Sequence, residues 1–307
     1  MGREGEGKGS AGVLACWDQT PDPTHHSNTP PLHSAPPRRL IVNADDFGRS
    51  HSINQAVIRA HREGILTTAS LMVNEPAAAE AIALAKENPG LGVGLHLTLL
   101  GGRSALPPEK IPGLVNARGE FNDNPVAVGF RYFAQRGLRE ELRAEIHAQF
   151  ARFRASGLPL DHLNGHLHLH LHPTVFSLLM QDAEQLGIQR MRLTREPFWL
   201  DVPLARGRRG YRAGHAAIFF VLARLAQSRF QRKNLRHTQR VFGLLENDRV
   251  DEAYVLKLLA VLPPGDSELY SHPSLDQFRH EFEALISPRV KARATELGLQ
   301  LIRYQDL

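Results

Sequence analysis

Cysteine is nearly absent: Cys16 is the single one in 307 residues. No intramolecular disulfide can form, and a reducing compartment is the default expectation. No run of about 18 apolar residues occurs, which argues against a membrane-spanning helix. The opening MGREGEGKGSAGVLACW lacks an apolar core long enough for a signal peptide. Together these absences predict a cytoplasmic protein. Acidic residues are missing from Val202 to Leu245, a stretch that holds ten Lys and Arg while the whole chain carries a net charge of +5. The excess positive charge is therefore local. Aromatic residues are sparse within it, which disfavours a groove that stacks nucleic-acid bases.

What is present suits an ordinary soluble core, with 42% apolar residues. Residues 1–37, rich in Gly, Pro, Ser and Thr and ending in TPPLHSAPP, predict a disordered extension. Residues 38–307 then read as a single domain. LIVNA (40–44) is a buried-type strand ending in Asp45-Asp46-Phe47-Gly48. Ser50 caps a helix over 51–63 that Gly64 closes, and Pro76 opens a second helix that stops at Asn88-Pro89-Gly90. Strands are expected at 67–73, 91–99, 164–172, 190–194, 268–272 and 299–304, and helices at 138–155, from Pro173 to near Gly187, at 251–262 and at 276–297. A Pro/Gly-rich stretch from Gly101 to Pro125 reads as a long loop. Strand–helix alternation implies a parallel sheet, and about seven strands in this length predict an α/β fold of the (β/α) barrel type, distorted or incomplete.

Asn164-Gly165-His166-Leu167-His168-Leu169-His170-Leu171-His172-Pro173 alternates histidine and leucine with the period of a strand. Same-face neighbours on a strand stand about 6.6 Å apart, so two of the histidines can approach one metal ion and four cannot. Partners must come from elsewhere. In a barrel of this type the C-terminal strand ends form one rim, and Asp45, Asp46, His96, His166, His168 and His272 all fall there. One Asp with two His is a common ligand set for a divalent ion that leaves positions open. A second adjacent Asp then remains free to act as a base. His162, four before His166, is a rival pairing ranked below His96.

LIVNADDFG, GVGLHLTL, DHLNGHLHLHLHP and the late Ser271-His272-Pro273 occur in that order. The combination resembles the YdjC-like carbohydrate deacetylases over about residues 39–307. AVIRAHREGILTTASLMVNEPAAAEA and LPPEKIPGLV look most like the branch associated with hopanoid biosynthesis. The resemblance implies a polysaccharide-deacetylase-like barrel that removes acetyl groups from N-acetylated sugars. It implies Asp46, His96 and His166 as ligands of one divalent ion, Mg²⁺ with Zn²⁺ as the alternative. Asp45 is implied as general base, His272 as general acid, and His168 and Arg192 as groups that touch the substrate or stand behind those that do. By this reading only His166 of the histidine run binds metal, His168 lines the cleft, and His172 belongs to the helix start at Pro173.

The basic stretch 202–245 encloses Ala216-Ala217-Ile218-Phe219-Phe220-Val221-Leu222-Ala223. It reads as an amphipathic insertion or lid able to meet an anionic membrane peripherally, at the inner face, with Phe219, Phe220 and Leu222 entering the interfacial layer. The expected substrate is an N-acetylglucosaminyl group on a hopanoid lipid such as bacteriohopanetetrol, with soluble chito-oligosaccharide as the alternative. A homodimer is compatible with the sequence, and nucleic acid is not an expected partner. Two rival functions are a two-His, one-carboxylate iron oxygenase and a metal-storage module. The strand–helix alternation disfavours the first, and metal stoichiometry discriminates the second.

Overall fold

A computed structural model of the chain describes residues 36–201, 204 and 209–307. Apart from Pro36 and Pro37, the expected extension over 1–37 lies outside the described residues, as do 202–203 and 205–208 of the basic segment. The order of elements is β1 (Arg38–Phe47), α1 (His51–Glu63), β2 (Thr68–Leu71), α2 (Ala78–Lys86), β3 (Gly92–Leu97), α3 (Pro125–Ala134), α4 (Arg139–Ala155) and β4 (Leu163–Gly165). There follow α5 (Pro173–Gln181), α6 (Ala183–Leu186), α7 (Phe198–Asp201), α8 (Arg209–Arg232), β5 (Arg240–Phe242), α9 (Glu252–Val261), β6 (Gly265–Ser271), α10 (Arg279–Ile286), α11 (Pro288–Glu296) and β7 (Gln300–Leu301).

The strands form one parallel sheet in the order β4-β3-β2-β1-β6-β5. β1 is its axis. One edge pairs with β6 from Arg38↔Gly265 to Ala44↔Ser271. The other edge is shared, with β7 against Arg39 and Leu40 and β2 against Asn43 to Phe47. Between the outer strands β4 and β5 runs the backbone of 189–195, through the parallel bridges Leu163↔Met191 and Arg190↔Arg236 and a bond from Val241 N to Arg195 O (3.0 Å). The result is the expected distorted, incomplete barrel. The strand expected at 190–194 is reduced to these isolated bridges, and β5 supplies a strand the sequence pattern did not announce.

Helix boundaries follow their caps. Ser50 accepts from Ile53 N, and Gly64 N returns to Ala60 O (3.1 Å). The helix expected over 276–297 is two helices, because Pro288 has no N–H to continue the first while Ser287 caps the second by accepting from Val290 N. α3 was not expected at all. Asn124 caps it by accepting from Val126 N and Ala127 N, with Pro125 in the first turn. The 101–125 loop is held from below: both oxygens of buried Glu145 accept from Ala105 N (2.7 Å) and Leu106 N (2.9 Å).

The histidine run is not a strand beyond Gly165. β3 offers pairing only through Leu97↔Gly165, so the ladder has no further partner there. The chain instead makes tight turns over 166–171, with Leu167 and His168 both left-handed (φ 48° and 58°). Gly165 permits the fold-back, since a Cβ there would lie 3.1 Å from His170 N.

The predicted inner stripe of α4, Leu142, Ile146, Phe150 and Phe153, is buried in the main core. Phe150→Ala should lower unfolding free energy by about 3–5 kcal/mol, measured by urea denaturation. A loss near zero would remove α4 from the core.

Candidate metal and catalytic centre

Consecutive residues of a regular strand point to opposite faces, yet Asp45 and Asp46 both reach the centre. The register between β1 and β2 shifts between Ala44 and Phe47, and Asp46 is left-handed at φ 62°. A non-glycine residue held there costs about 1–3 kcal/mol, which concentrates at functional sites. The irregularity turns the Asp46 carboxylate back towards β3 and β4.

Asp46 Oδ2 accepts from Arg49 Nη1 (2.8 Å). Its Oδ1 faces two rings, His166 Nδ1 at 3.0 Å and His96 Nε2 at 3.3 Å. One donor atom from each of Asp46, His96 and His166 lies within 4.8 Å of the other two, and all three residues are buried. It is the only such cluster among the described residues. His96 Nδ1 is 2.7 Å from the side-chain oxygen of Asn164, which only accepts, so Nδ1 carries the hydrogen. When the ring is neutral the lone pair of Nε2 points at a carboxylate oxygen, so that either a proton or a metal cation can stand between them. Burial opposes charge on His96, but Asp45 and Asp46 outweigh it and raise its pKa. Burial likewise opposes ionisation of Asp46, and the facing imidazoles overcome it, holding the carboxyl well below the usual range. A buried donor set of two imidazoles and one carboxylate fits a divalent ion.

Asp45 sits one residue away in a different environment. Oδ1 accepts from Asn43 Nδ2 (2.8 Å) and Asn164 Nδ2 (2.9 Å), and Arg192 reaches both oxygens (2.7 and 3.2 Å). Burial works against its charge, but the Arg192 guanidinium outweighs this and keeps the carboxyl far below its ordinary pKa. Arg192 has no exposed surface and also binds Glu268 Oε1 (2.7 and 3.0 Å). It therefore stands behind Asp45, between that carboxylate and Glu268.

Asp45, His96, His168 and His272 line one cleft of about 390 Å³ whose remaining wall is largely apolar: Val126 of α3, Leu167, Leu169, and Ile218, Phe219 and Leu222 of α8. His272 follows β6. Its backbone N–H donates to Glu281 Oε2 (2.5 Å), and its Nδ1 is 3.6 Å from Asp248 Oδ1. His168 Nε2 meets Tyr270 Oη at 3.0 Å, and its ring packs on Phe219. Burial, reinforced by the Arg192 charge, keeps His168 neutral. His170 donates from Nε2 to Arg192 O (3.0 Å), and His172 meets Gly129 O (3.0 Å) just before α5. The four histidines thus go to four different places, and only His166 joins the triad. His162 is held apart from it by Asp161 and Ser70.

Asn43, Ser70 and Asn164 are the functional groups that the sequence reading passed over. A signal existed: each is a polar residue inside a short buried strand, and Asn43 lies one strand period before Asp45.

Fold and site together define an incomplete parallel barrel with a buried two-histidine, one-aspartate centre at its C-terminal rim. The chain belongs to the YdjC-like family, whose model, described as "YdjC-like protein", matches residues 39–296. It is 36% identical over 272 residues to a carbohydrate deacetylase of Geobacillus stearothermophilus, covering 88% of this chain and 98% of that protein. It is 31% identical over 277 residues to a chitooligosaccharide deacetylase of Serratia marcescens (87% and 98% covered). Among solved structures, a protein of Enterococcus faecalis V583 described as a candidate cellobiose-phosphate cleavage protein shares the fold. It has a TM-score of 0.68 at 24% identity, over 88% of this chain and 98% of that one.

Burial pushes the pKa of His170 down to about 3. Below the ordinary histidine value of about 6.5 the unfolded chain takes up a proton that the folded chain refuses until about 3. Stability from this group is therefore complete above that window and falls by about 1.4 kcal/mol per pH unit within it. His170→Gln should flatten the dependence of the urea midpoint on pH between these limits. An unchanged slope would show that His170 is protonated in the fold.

Proposed function

We propose that this chain is a metal-dependent carbohydrate N-deacetylase, a hydrolase of the acetamide bond on N-acetylated amino sugars. One observation carries the reading: a carboxylate held ionised, Asp45, adjoins a buried Asp46–His96–His166 triad at the inner end of a cleft that His272 also lines. Asp46, His96 and His166 would hold the divalent ion, which when bound supplies Lewis-acid polarisation of the acetamide carbonyl and of water. Asp45 accepts the proton of the attacking water. Its hydrogen bonds to Asn43, Asn164 and Arg192 fix it in place, and its negative charge needs no further deprotonation. His272 gives a proton to the amine nitrogen as the C–N bond breaks, releasing acetate and the free amino sugar. His168, neutral and tied to Tyr270, shapes the wall. The family resemblance favours Mg²⁺, while two nitrogen donors suit Zn²⁺, and titration with each separates them.

The finer substrate we infer is an N-acetylglucosaminyl group on a hopanoid-type lipid. The apolar side of the cleft supports it, as does the exposed apolar rim outside it, formed by Phe130 and Phe133 of α3 and Val221 and Leu225 of α8. Phe219 and Leu222, expected to enter a membrane, instead turn at least partly inward and line the cleft. With Arg229, Arg232 and Lys233 along α8 and its end, this rim suits peripheral contact with an anionic membrane face. No described helix is long and apolar enough to cross a membrane. Soluble chito-oligosaccharide is the second reading, favoured by the name of the Serratia relative.

Acetate release should be observed from N-acetylglucosaminyl lipid, exceed that from N,N′-diacetylchitobiose, and stop on chelation. Faster release from N,N′-diacetylchitobiose would reverse the substrate order. Asp45→Asn should retain metal and lose about 10²–10⁴ in rate; near-normal turnover would remove Asp45 as the base.

Co-sedimentation with phosphatidylglycerol liposomes should weaken with salt and with charge reversal at Arg229, Arg232 and Lys233. No binding at low salt would exclude the membrane contact.

A further inference from the structure

A single amide serves both halves of the centre. Asn164 donates from Nδ2 to Asp45 Oδ1 (2.9 Å) and Ser70 Oγ (2.8 Å), while its Oδ1 accepts from His96 Nδ1 (2.7 Å). The two ends are not interchangeable. Turned over, the amide would set its oxygen against the Asp45 carboxylate and its NH₂ against His96 Nδ1. His96 would then take the other tautomer, with its hydrogen on Nε2, the nitrogen that faces Asp46.

A buried row beneath supports this orientation. Asp161 Oδ2 lies 2.9 Å from His162 Nδ1, and His162 Nε2 lies 3.0 Å from Ser70 Oγ. A carboxylate only accepts, so Nδ1 of His162 carries hydrogen, and the Ser70 hydroxyl, with His162 Nε2 at 3.0 Å and Asn43 Oδ1 at 3.3 Å as its acceptors, donates along the shorter contact when Nε2 is bare. The lone pairs of Ser70 are left for Asn43 Nδ2 (3.0 Å) and Asn164 Nδ2. Space for the His162 ring exists because β3 is bare at Gly94, where a Cβ would lie 2.5 Å from His162 Nε2. Tyr304 stacks on the other side of that ring at 4.4 Å.

We propose that Asn164 is a positioning residue that sets the tautomer of His96 for metal binding and the orientation of Asp45 for proton transfer. Asp45 and the Ser70–His162–Asp161 row hold its own direction. The proposal rests on the metal-dependent reading above. It predicts that the two jobs separate, because a carboxylate at 164 still accepts from His96 Nδ1 but offers no N–H to Asp45.

Calorimetric titration of the full chain with Zn²⁺, with melting curves to verify folding, tests this in Asn164→Ala and Asn164→Asp. Asn164→Ala should weaken metal binding about 10–100-fold, while Asn164→Asp stays within about threefold of the parent. At saturating metal both variants should lose acetate release. Wild-type affinity in Asn164→Ala, or equal losses in both variants, would overturn the proposal. Absence of metal binding by the unaltered chain would instead overturn the functional reading. Should Asn164→Asp fail to fold, Ser70→Ala removes the second acceptor of the amide without touching Asp45 or His96. Weakened zinc affinity in Ser70→Ala, restored in Ser70→Thr, upholds the row, and unchanged affinity in Ser70→Ala refutes it.

Discussion

Arg192 lies between Asp45 and Glu268 with no surface exposed to solvent, its guanidinium 4.5 Å above the ring of Tyr270. This buried ion pair ties the irregular 189–195 segment, which the ladder holds only through isolated bridges and single bonds, to the closely paired strands β1 and β6. Glu268 in turn accepts from the Tyr304 hydroxyl, which ties in the C-terminal residues. Removing one partner of such a pair leaves an uncompensated buried charge, at a cost of about 3–5 kcal/mol. The same contact also keeps Asp45 anionic where burial alone would neutralise it. Stability of the barrel and the charge state of the centre therefore share one interaction.

Two departures from regular backbone build the rest of the centre. The shift at Ala44–Phe47 brings both carboxylates of β1 to one side, and the left-handed pair Leu167–His168 lets His166 face Asp46 while His168 turns to Tyr270. In each case hydrogen bonds surround the strained residue. Arg49 holds Asp46, and Tyr270 and Thr194 hold His168. At Asp46 and His168 these contacts oppose relaxation of the backbone.

The alternation of apolar runs with capped helices made a parallel barrel legible, and the inner stripe of α4 could be read residue by residue. So could the rim membership of Asp45, Asp46, His96, His166 and His272, because each follows or ends an apolar run. The histidine run misled about its own structure. Its period of two is a strand signal only while a neighbouring strand offers partners, and β3 ends at Leu97. Likewise 190–194 had strand composition but only single bridges on either side, and α3 was hidden in a region read for its loop residues.

Local chemistry is what the sequence by itself determined here: which residues are able to ligate, cap, turn or bury, and the order in which they occur. The tertiary structure alone decided which ring nitrogen faces Asp46, that Arg192 stands behind Asp45, and that Asn164 bridges Asp45 to His96. Those contacts connect residues 50 or more positions apart, such as His96 with Asp46 (96 − 46 = 50), His96 with Asn164 (68) and Asp45 with Arg192 (147). Hydrogen-bond direction depends on distances of a few tenths of an ångström. No periodicity along a chain encodes such distances.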